Sequence, residues 1–176
     1  MSQFVTDIKK IRERARKNMQ EGAVTSGYKA NRKAVIKVLN DVLATEIVCI
    51  LRYKRHYYTA QGMNSDAART EFLQHAGEEQ QHADWAAERI TQLGGEPNYN
   101  PEGLAERAHS EYDASKSLTG MIKEDLVAER IAIESYSEII RWLGNDDSTT
   151  RVMIEQILKM EEQHADDLAN LLVKIK

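Results

Sequence analysis

Glu78-Glu79-Gln80-Gln81-His82-Ala83-Asp84 is echoed later in the chain by Glu161-Glu162-Gln163-His164-Ala165-Asp166, with Glu161 lying 82 residues after Glu79. Each stretch contains Glu-x-x-His, which a helix presents on one face. Glu79 and His82 share the face of Ala76, Ala83 and Ala86, while Glu161 and His164 share that of Leu158 and Leu168. One such pair is a weak signal, common by chance as a solvated pair on a helix. Two of them on apolar stripes require a reason, because an unpaired buried ion costs several kcal/mol.

Upstream of each motif stands another carboxylate in the wrong company. Glu46 lies four residues from both Val42 and Ile50, and Glu129 lies between Leu126 and Ile133. The intervals match: 33 residues from Glu46 to Glu79 and 32 from Glu129 to Glu161, one helix down and the next back to the same height. Leu43, Glu46, Ile50 and Tyr53 align with Leu126, Glu129, Ile133 and Tyr136, so the chain looks like a duplicated helical hairpin. Four inward carboxylates balance two divalent cations, and two neutral imidazoles complete the donors. One Glu from each of two helices and Glu-x-x-His from each of the other two is the pattern of a di-iron carboxylate site. Exposed helix charges, the bland alternative, would leave the apolar placement unexplained. The expected metal ligands are Glu46, Glu79, His82, Glu129, Glu161 and His164.

Four long helices follow from the periodicity. They span about Asn31 to Ala60, Ser65 or Asp66 to Gly94-Gly95, Lys116 to Leu143, and Ser148 almost to Lys176. Short turns make each consecutive pair an antiparallel hairpin. About twenty residues, Gly95 to Ser115, separate the second helix from the third, enough for a crossover along the bundle, and Gly103 to Tyr112 are expected to form a short helix in it. The expected fold is all-α, a four-helix bundle over 31–176 preceded by an arm over 1–30.

Composition agrees. Of 176 residues, 41% are hydrophobic and 30% charged, with 2 Pro and 9 Gly, a mixture suited to long solvated helices. Apolar runs are too short to span a membrane, and the leading residues carry no apolar secretory segment. A cytoplasmic protein is expected. A single cysteine, Cys49, excludes an internal disulfide and a cysteine-knuckle metal site. The net charge of -4 is uneven: residues 1–33 hold nine Lys/Arg against Asp7, Glu13 and Glu21. Phe4 or Val5, Ile8, Ile11, Ala15 and Met19 recur at helical spacing in this arm. It is expected either to pack as an amphipathic helix on the bundle or a neighbouring subunit, or to bind DNA phosphates; the regular apolar spacing favours packing.

From Asn31 to Lys176 the chain resembles the bacterioferritin branch of the ferritin-like superfamily. The resemblance implies a ferroxidase, with Fe(II) and O2 or H2O2 as substrates and two iron ions per chain, sites that Mn would also fit. It assigns Glu46 and His82 to one iron, Glu129 and His164 to the other, and Glu79 and Glu161 as bridges. Tyr53 matches the family's tyrosine beside the centre, and Asp125 a carboxylate that would orient an imidazole. Three features depart from that branch. Gln80 stands where bacterioferritins carry the haem-binding methionine, so haem is not expected. Twelve residues follow His164, leaving no room for the fifth helix of 24-subunit cages. The basic arm and the crossover helix look instead like the twelve-subunit DNA-protection proteins. A homo-oligomer, dimer or larger cage, is expected.

The remaining candidates have weaker claims. His75, four residues before Glu79, suits a hydrogen-bonded packing residue better than a third nitrogen ligand or an access point for iron. Cys49 is expected in the core, Tyr53 and Tyr136 in packing or beside the centre, and Trp85 and Trp142 in packing or subunit contacts. His56 and His109 carry no clear assignment. Competing functions are a DNA-binding, peroxide-consuming protection protein and a rubrerythrin-like di-metal peroxide reductase; rubrerythrin proper is disfavoured by the missing cysteine quartet.

Overall fold

Side-chain caps set where the helices begin. In the computed structural model, which describes residues 7–20, 22–62 and 65–174, the helices are α1 (Ile8–Lys17), α2 (Arg32–Thr59), α3 (Ser65–Gln92), α4 (Leu104–Arg107), α5 (Leu118–Leu143) and α6 (Ser148–Lys174). Asn31 accepts from the Ala34 amide at 3.2 Å, Ser117 from Gly120 at 3.1 Å and Asp147 from Thr150 at 2.9 Å, satisfying the first free amides of α2, α5 and α6. The Ser117 cap is why the third long helix starts just after Lys116. Gly94, at φ +76°, closes α3, and the Gly95 amide returns to the Ile90 carbonyl at 2.9 Å. A side chain at Gly95 would drive into Ile36 on α2, its Cβ 2.8 Å from Ile36 Cγ2, so glycine also permits this close approach.

Helices α2 and α3 form one hairpin and α5 and α6 the other. Contacts between the hairpins run in opposite chain directions. Arg52 meets Asp125 while Glu46 meets Tyr136, and His82 meets Met160 while Arg89 meets Thr150. Thus α2 is antiparallel to α5 and α3 to α6, which requires the connection between α3 and α5 to travel the length of the bundle. It does so along α2. Asn40 Oδ1 accepts from the Asn98 amide, Thr45 Oγ1 from the His109 amide, and Arg52 and Arg55 donate to the carbonyls of Glu111, Ala114 and Ser115. These partners explain why helix in the crossover stops at Arg107 rather than continuing to Tyr112: beyond it, polar side chains of α2 take up backbone groups that a helix would pair internally.

Apolar packing divides into two clusters. One holds Val35, Leu39, Val42, Ala86, Ile90, Ile154 and Ile157; the other holds Ala68, Phe72, Met121, Ile122 and Leu168. Each large aliphatic or aromatic side chain so buried contributes about 1.5–3 kcal/mol. Between the clusters lies a polar layer. At one end of the bundle Tyr28 donates to Asp147 at 2.8 Å, and Arg89 reaches the same carboxylate at 2.9 Å.

Helix α1 forms, but packs against no other described helix. Ile8 and Ile11 remain 49% and 41% exposed and Met19 80%, so the expected packing of this face on the chain's own bundle does not occur. Phe4, Val5 and Glu21, and the final two residues expected in the last helix, lie outside the described residues. No described helix is long and apolar enough to cross a membrane.

Candidate metal centre

The polar layer is built from one carboxylate or one Glu-x-x-His pair on each long helix. Glu46 comes from α2, Glu79 and His82 from α3, Glu129 from α5, and Glu161 and His164 from α6. All six are buried, none more than 2% exposed. Glu46, Glu79, His82 and Glu161 offer donor atoms within 4.8 Å of one another, and so do Glu79, Glu129, Glu161 and His164. Ligands about 2.0–2.2 Å from one ion lie that close together. The two sets share Glu79 and Glu161, so the six residues singled out in the sequence converge as two overlapping donor sets.

Both imidazoles aim Nδ1 inward. His82 Nδ1 lies 3.4 Å from Glu46, 3.2 Å from Glu79 and 3.1 Å from Glu161. His164 Nδ1 lies 3.3 Å from Glu161, 3.6 Å from Glu79 and 3.8 Å from Glu129. Their Nε2 atoms face outward: His164 Nε2 meets Glu78 at 2.7 Å, and His82 Nε2 meets the Met160 sulfur at 3.2 Å. Donation of Nε2–H to Glu78 leaves His164 Nδ1 directed at the centre, where its lone pair becomes available once a cation displaces the proton it carries. The carboxylate that orients this imidazole is therefore Glu78. Asp125, which the resemblance suggested for such a role, instead holds His56 Nδ1 at 2.9 Å and Arg52 Nε at 2.8 Å.

The tyrosines cross between the hairpins. Tyr53 donates to Glu129 and Tyr136 donates to Glu46, so each of these carboxylates is held by a hydroxyl from the opposite hairpin. Burial, reinforced by those carboxylates, lifts both phenols well above their ordinary range and keeps them as donors. His75 is also buried, its Nδ1 3.2 Å from Tyr53 Oη and its ring stacked 4.0 Å from that of His164. Burial, then the His164 charge, brings His75 down to about 4. His109 meets the Tyr136 ring edgewise at 6.3 Å, Trp85 lies 5.7 Å from the His82 ring, and Cys49 is buried beside Ser110 and Arg52. Trp142 is largely exposed.

Electrostatics mark the layer as rich in negative charge. Burial, reinforced by Glu79, takes Glu46 up to about 8, and burial followed by the charges of Glu129 and Glu46 takes Glu161 to about 7. Burial also opposes charge on Glu129, but the neighbouring His164 and Glu161 and the hydrogen bond from Tyr53 outweigh it and hold that group at about 2. Burial disfavours charged imidazoles, yet the surrounding carboxylates push His82 up to about 12 and raise His164 well beyond its ordinary range. A cluster that takes up protons so strongly is one whose charge divalent cations balance. The donor set fits them: Glu79 Oε1, both Glu161 oxygens and His164 Nδ1 are buried without hydrogen-bond partners.

Two groups of partners escaped the sequence reading. Glu78 and Met160 each immediately precede a motif glutamate, and their shared place in the repeat was the available signal. Arg52, fully buried, pairs with Asp125, and the signal for this missed partner was its place one residue before inward Tyr53.

Comparison with known proteins agrees with this architecture. The chain is 29% identical over 153 residues to a bacterioferritin of Desulfovibrio desulfuricans, covering 86% of this chain and 82% of that protein. It is 31% identical over 139 residues to a nutrient stress-induced DNA-binding protein of Synechococcus, covering 76% and 78% respectively. Among solved structures, a dodecameric thioferritin, the bacterioferritin-related protein of Bacteroides fragilis, superposes with a TM-score of 0.80 at 32% identity over 84% of this chain and 89% of that one. With the ferritin-like domain matching residues 36–176, nearly the whole helical bundle, this chain belongs to the ferritin-like family.

Proposed function

We propose that this protein is a di-iron ferroxidase that oxidises Fe(II) to Fe(III) with O2 or H2O2 in the service of iron storage and detoxification. The observation that carries the reading is the pair of overlapping donor sets sharing Glu79 and Glu161, with unpartnered oxygens on those two residues. Glu46 and His82 would hold one iron, Glu129 and His164 the other, and Glu79 and Glu161 both. Hard carboxylate oxygens suit Fe(II) and favour the ferric product. When bound, the iron pair supplies two electrons to the oxidant. The chain's own residues handle position and protons. Glu78 sets the His164 tautomer, Tyr53 and Tyr136 hold Glu129 and Glu46 in place, and Glu46 and Glu161 release protons as cations bind. The two apolar clusters restrict water on either side. A homo-oligomeric cage fits the solved relatives, one of which is dodecameric, and its compartment in this reading is the cytoplasm.

Anaerobic Fe(II) loading followed by oxidant addition tests the reading. Two irons per chain should oxidise rapidly, and Glu46→Ala, Glu79→Ala or Glu129→Ala should abolish the fast phase while the bundle stays helical. Wild-type rates in these variants would refute it.

One observation favours a second role. Helix α1 displays Lys9, Lys10, Arg12, Arg14, Arg16 and Lys17 on an exposed surface that packs on no described helix, and one relative is a DNA-binding protein. Such a helix suits DNA phosphates, with affinity falling steeply as salt rises. A mobility shift at low salt that disappears on removing residues 1–30, together with a preference for H2O2 over O2, would select the protection-type function. An unchanged shift would exclude the arm as its cause.

A further inference from the structure

The internal repeat predicts what should surround His75. Glu79 and His82 correspond to Glu161 and His164 at an interval of 82, so Glu71, His75 and Asp167 correspond to Met153, Ile157 and Trp85. In their half of the bundle Met153, Ile157 and Trp85 belong to one apolar cluster. At the matching place in the other half all three are replaced together by potential ligands. Glu71, His75 and Asp167 place donor atoms within 4.8 Å of one another, where α3 and α6 meet.

The hydrogen bonds determine which His75 nitrogen is available. The Tyr53 hydroxyl donates to the Glu129 carboxylate, so its oxygen accepts from His75 Nδ1–H at 3.2 Å. A neutral imidazole protonated at Nδ1 presents a lone pair at Nε2. That Nε2 is buried, has no hydrogen-bond partner, and lies 3.7 Å from Glu71 Oε2, too far for a hydrogen bond. The His75 side chain is fully buried while Glu71 is 32% exposed and Asp167 is half-buried, so the nitrogen faces the Glu71 carboxylate in a cluster that water can reach from the carboxylate side.

We propose that Glu71, His75 and Asp167 form a third divalent-cation site, outside the di-metal centre and linked to it through His75 Nδ1, Tyr53 and Glu129. Two carboxylates and one imidazole suit first-row ions such as Mn(II), Fe(II), Co(II) or Zn(II), with water completing the shell on the exposed side. The site stands on its own donors and does not depend on the buried pair oxidising iron.

Co(II) is a suitable probe, being spectroscopically visible in nitrogen and oxygen sites. Equilibrium dialysis with elemental analysis should give three Co(II) per wild-type chain and two in the Glu71→Gln, Asp167→Asn double variant. The same count in both proteins would overturn the site. A wild-type count of one, lost in the double variant, would uphold it while refuting the di-metal reading. Anomalous scattering from Co(II)-soaked crystals of the unaltered protein decides the matter even if the variant folds poorly. A peak bonded to His75 Nε2 upholds the site, and an absent peak overturns it.

Discussion

Replacing Glu46 by Gln should make the metal-free protein more stable while disabling its centre. Glu46 is fully buried, and its carboxyl titrates near 8 instead of 4.5, through burial first and the charge of Glu79 second. Between those two values the unfolded chain releases a proton that the folded chain must keep, so stability falls as pH rises from 4.5 and the loss is complete near 8. Each pH unit in that interval costs about 1.4 kcal/mol, so about 4 kcal/mol has accumulated by pH 7.5. Glutamine removes the titration without removing the shape. Its carbonyl still accepts from Tyr136, and its amide donates toward the carboxylate oxygens beside it. Allowing for imperfect replacement of those contacts, the expected gain is about 2–4 kcal/mol, which for a chain of this size raises Tm by about 5–15 °C. Thermal unfolding in EDTA at pH 7.5 should show this rise, and at pH 4.5 the difference should largely vanish. Adding Mn(II) should reverse the order, because the wild type gains RT ln(1 + [L]/Kd) from cations that the variant binds weakly. An unchanged or lowered Tm for Glu46→Gln in EDTA at pH 7.5 would refute the electrostatic reasoning, and an undiminished response to Mn(II) would remove Glu46 from the ligand set.

Three further outcomes follow from the same geometry. Tyr53→Phe removes the hydroxyl shared by Glu129 and His75, and Fe(II) oxidation measured by stopped flow should slow about tenfold, the equivalent of one hydrogen bond to a charged group; an unaltered rate would leave Tyr53 as packing alone. Divalent-metal affinity should rise between pH 6 and 8, because a binding cation must displace protons held by Glu46 near 8 and Glu161 near 7. Calorimetry in buffers of different ionisation enthalpy should register those protons, and a pH-independent affinity would contradict the assignment. Arg52→Met strands the buried Asp125 carboxylate with His56 as its remaining side-chain partner and should cost about 3–5 kcal/mol in urea unfolding; a loss below 1 kcal/mol would mean that His56 compensates fully.

Much of this molecule was legible as periodicity. Asn31 and the Gly94-Gly95 pair bracket helices because capping is local, involving atoms within a turn of one another. Glu46 and Glu129 stood out because their neighbours four residues away are apolar, and a helix puts all of them on one side. The crossover was harder to read. Its length was evident, but the residues from Ala108 to Ser115 follow polar groups on α2 rather than their own helix propensity.

What a stripe on one helix cannot show is which atom of the next helix it meets. Glu78 sits at the edge of the inward face of α3, and its pairing with His164 depends on the rotation of α6 against it. Asp125 was correctly placed near an imidazole, but the approach of α2 made that imidazole His56. Spacing along the chain settled the four helices, the duplicated hairpin and the six inward donors, since each depends on atoms a few bonds or a single helical turn apart. The hydrogen-bonded partners behind those donors, the exposed position of α1, and the Glu71–His75–Asp167 cluster came only from packing, because they join side chains whose separation is set by how whole helices turn toward one another.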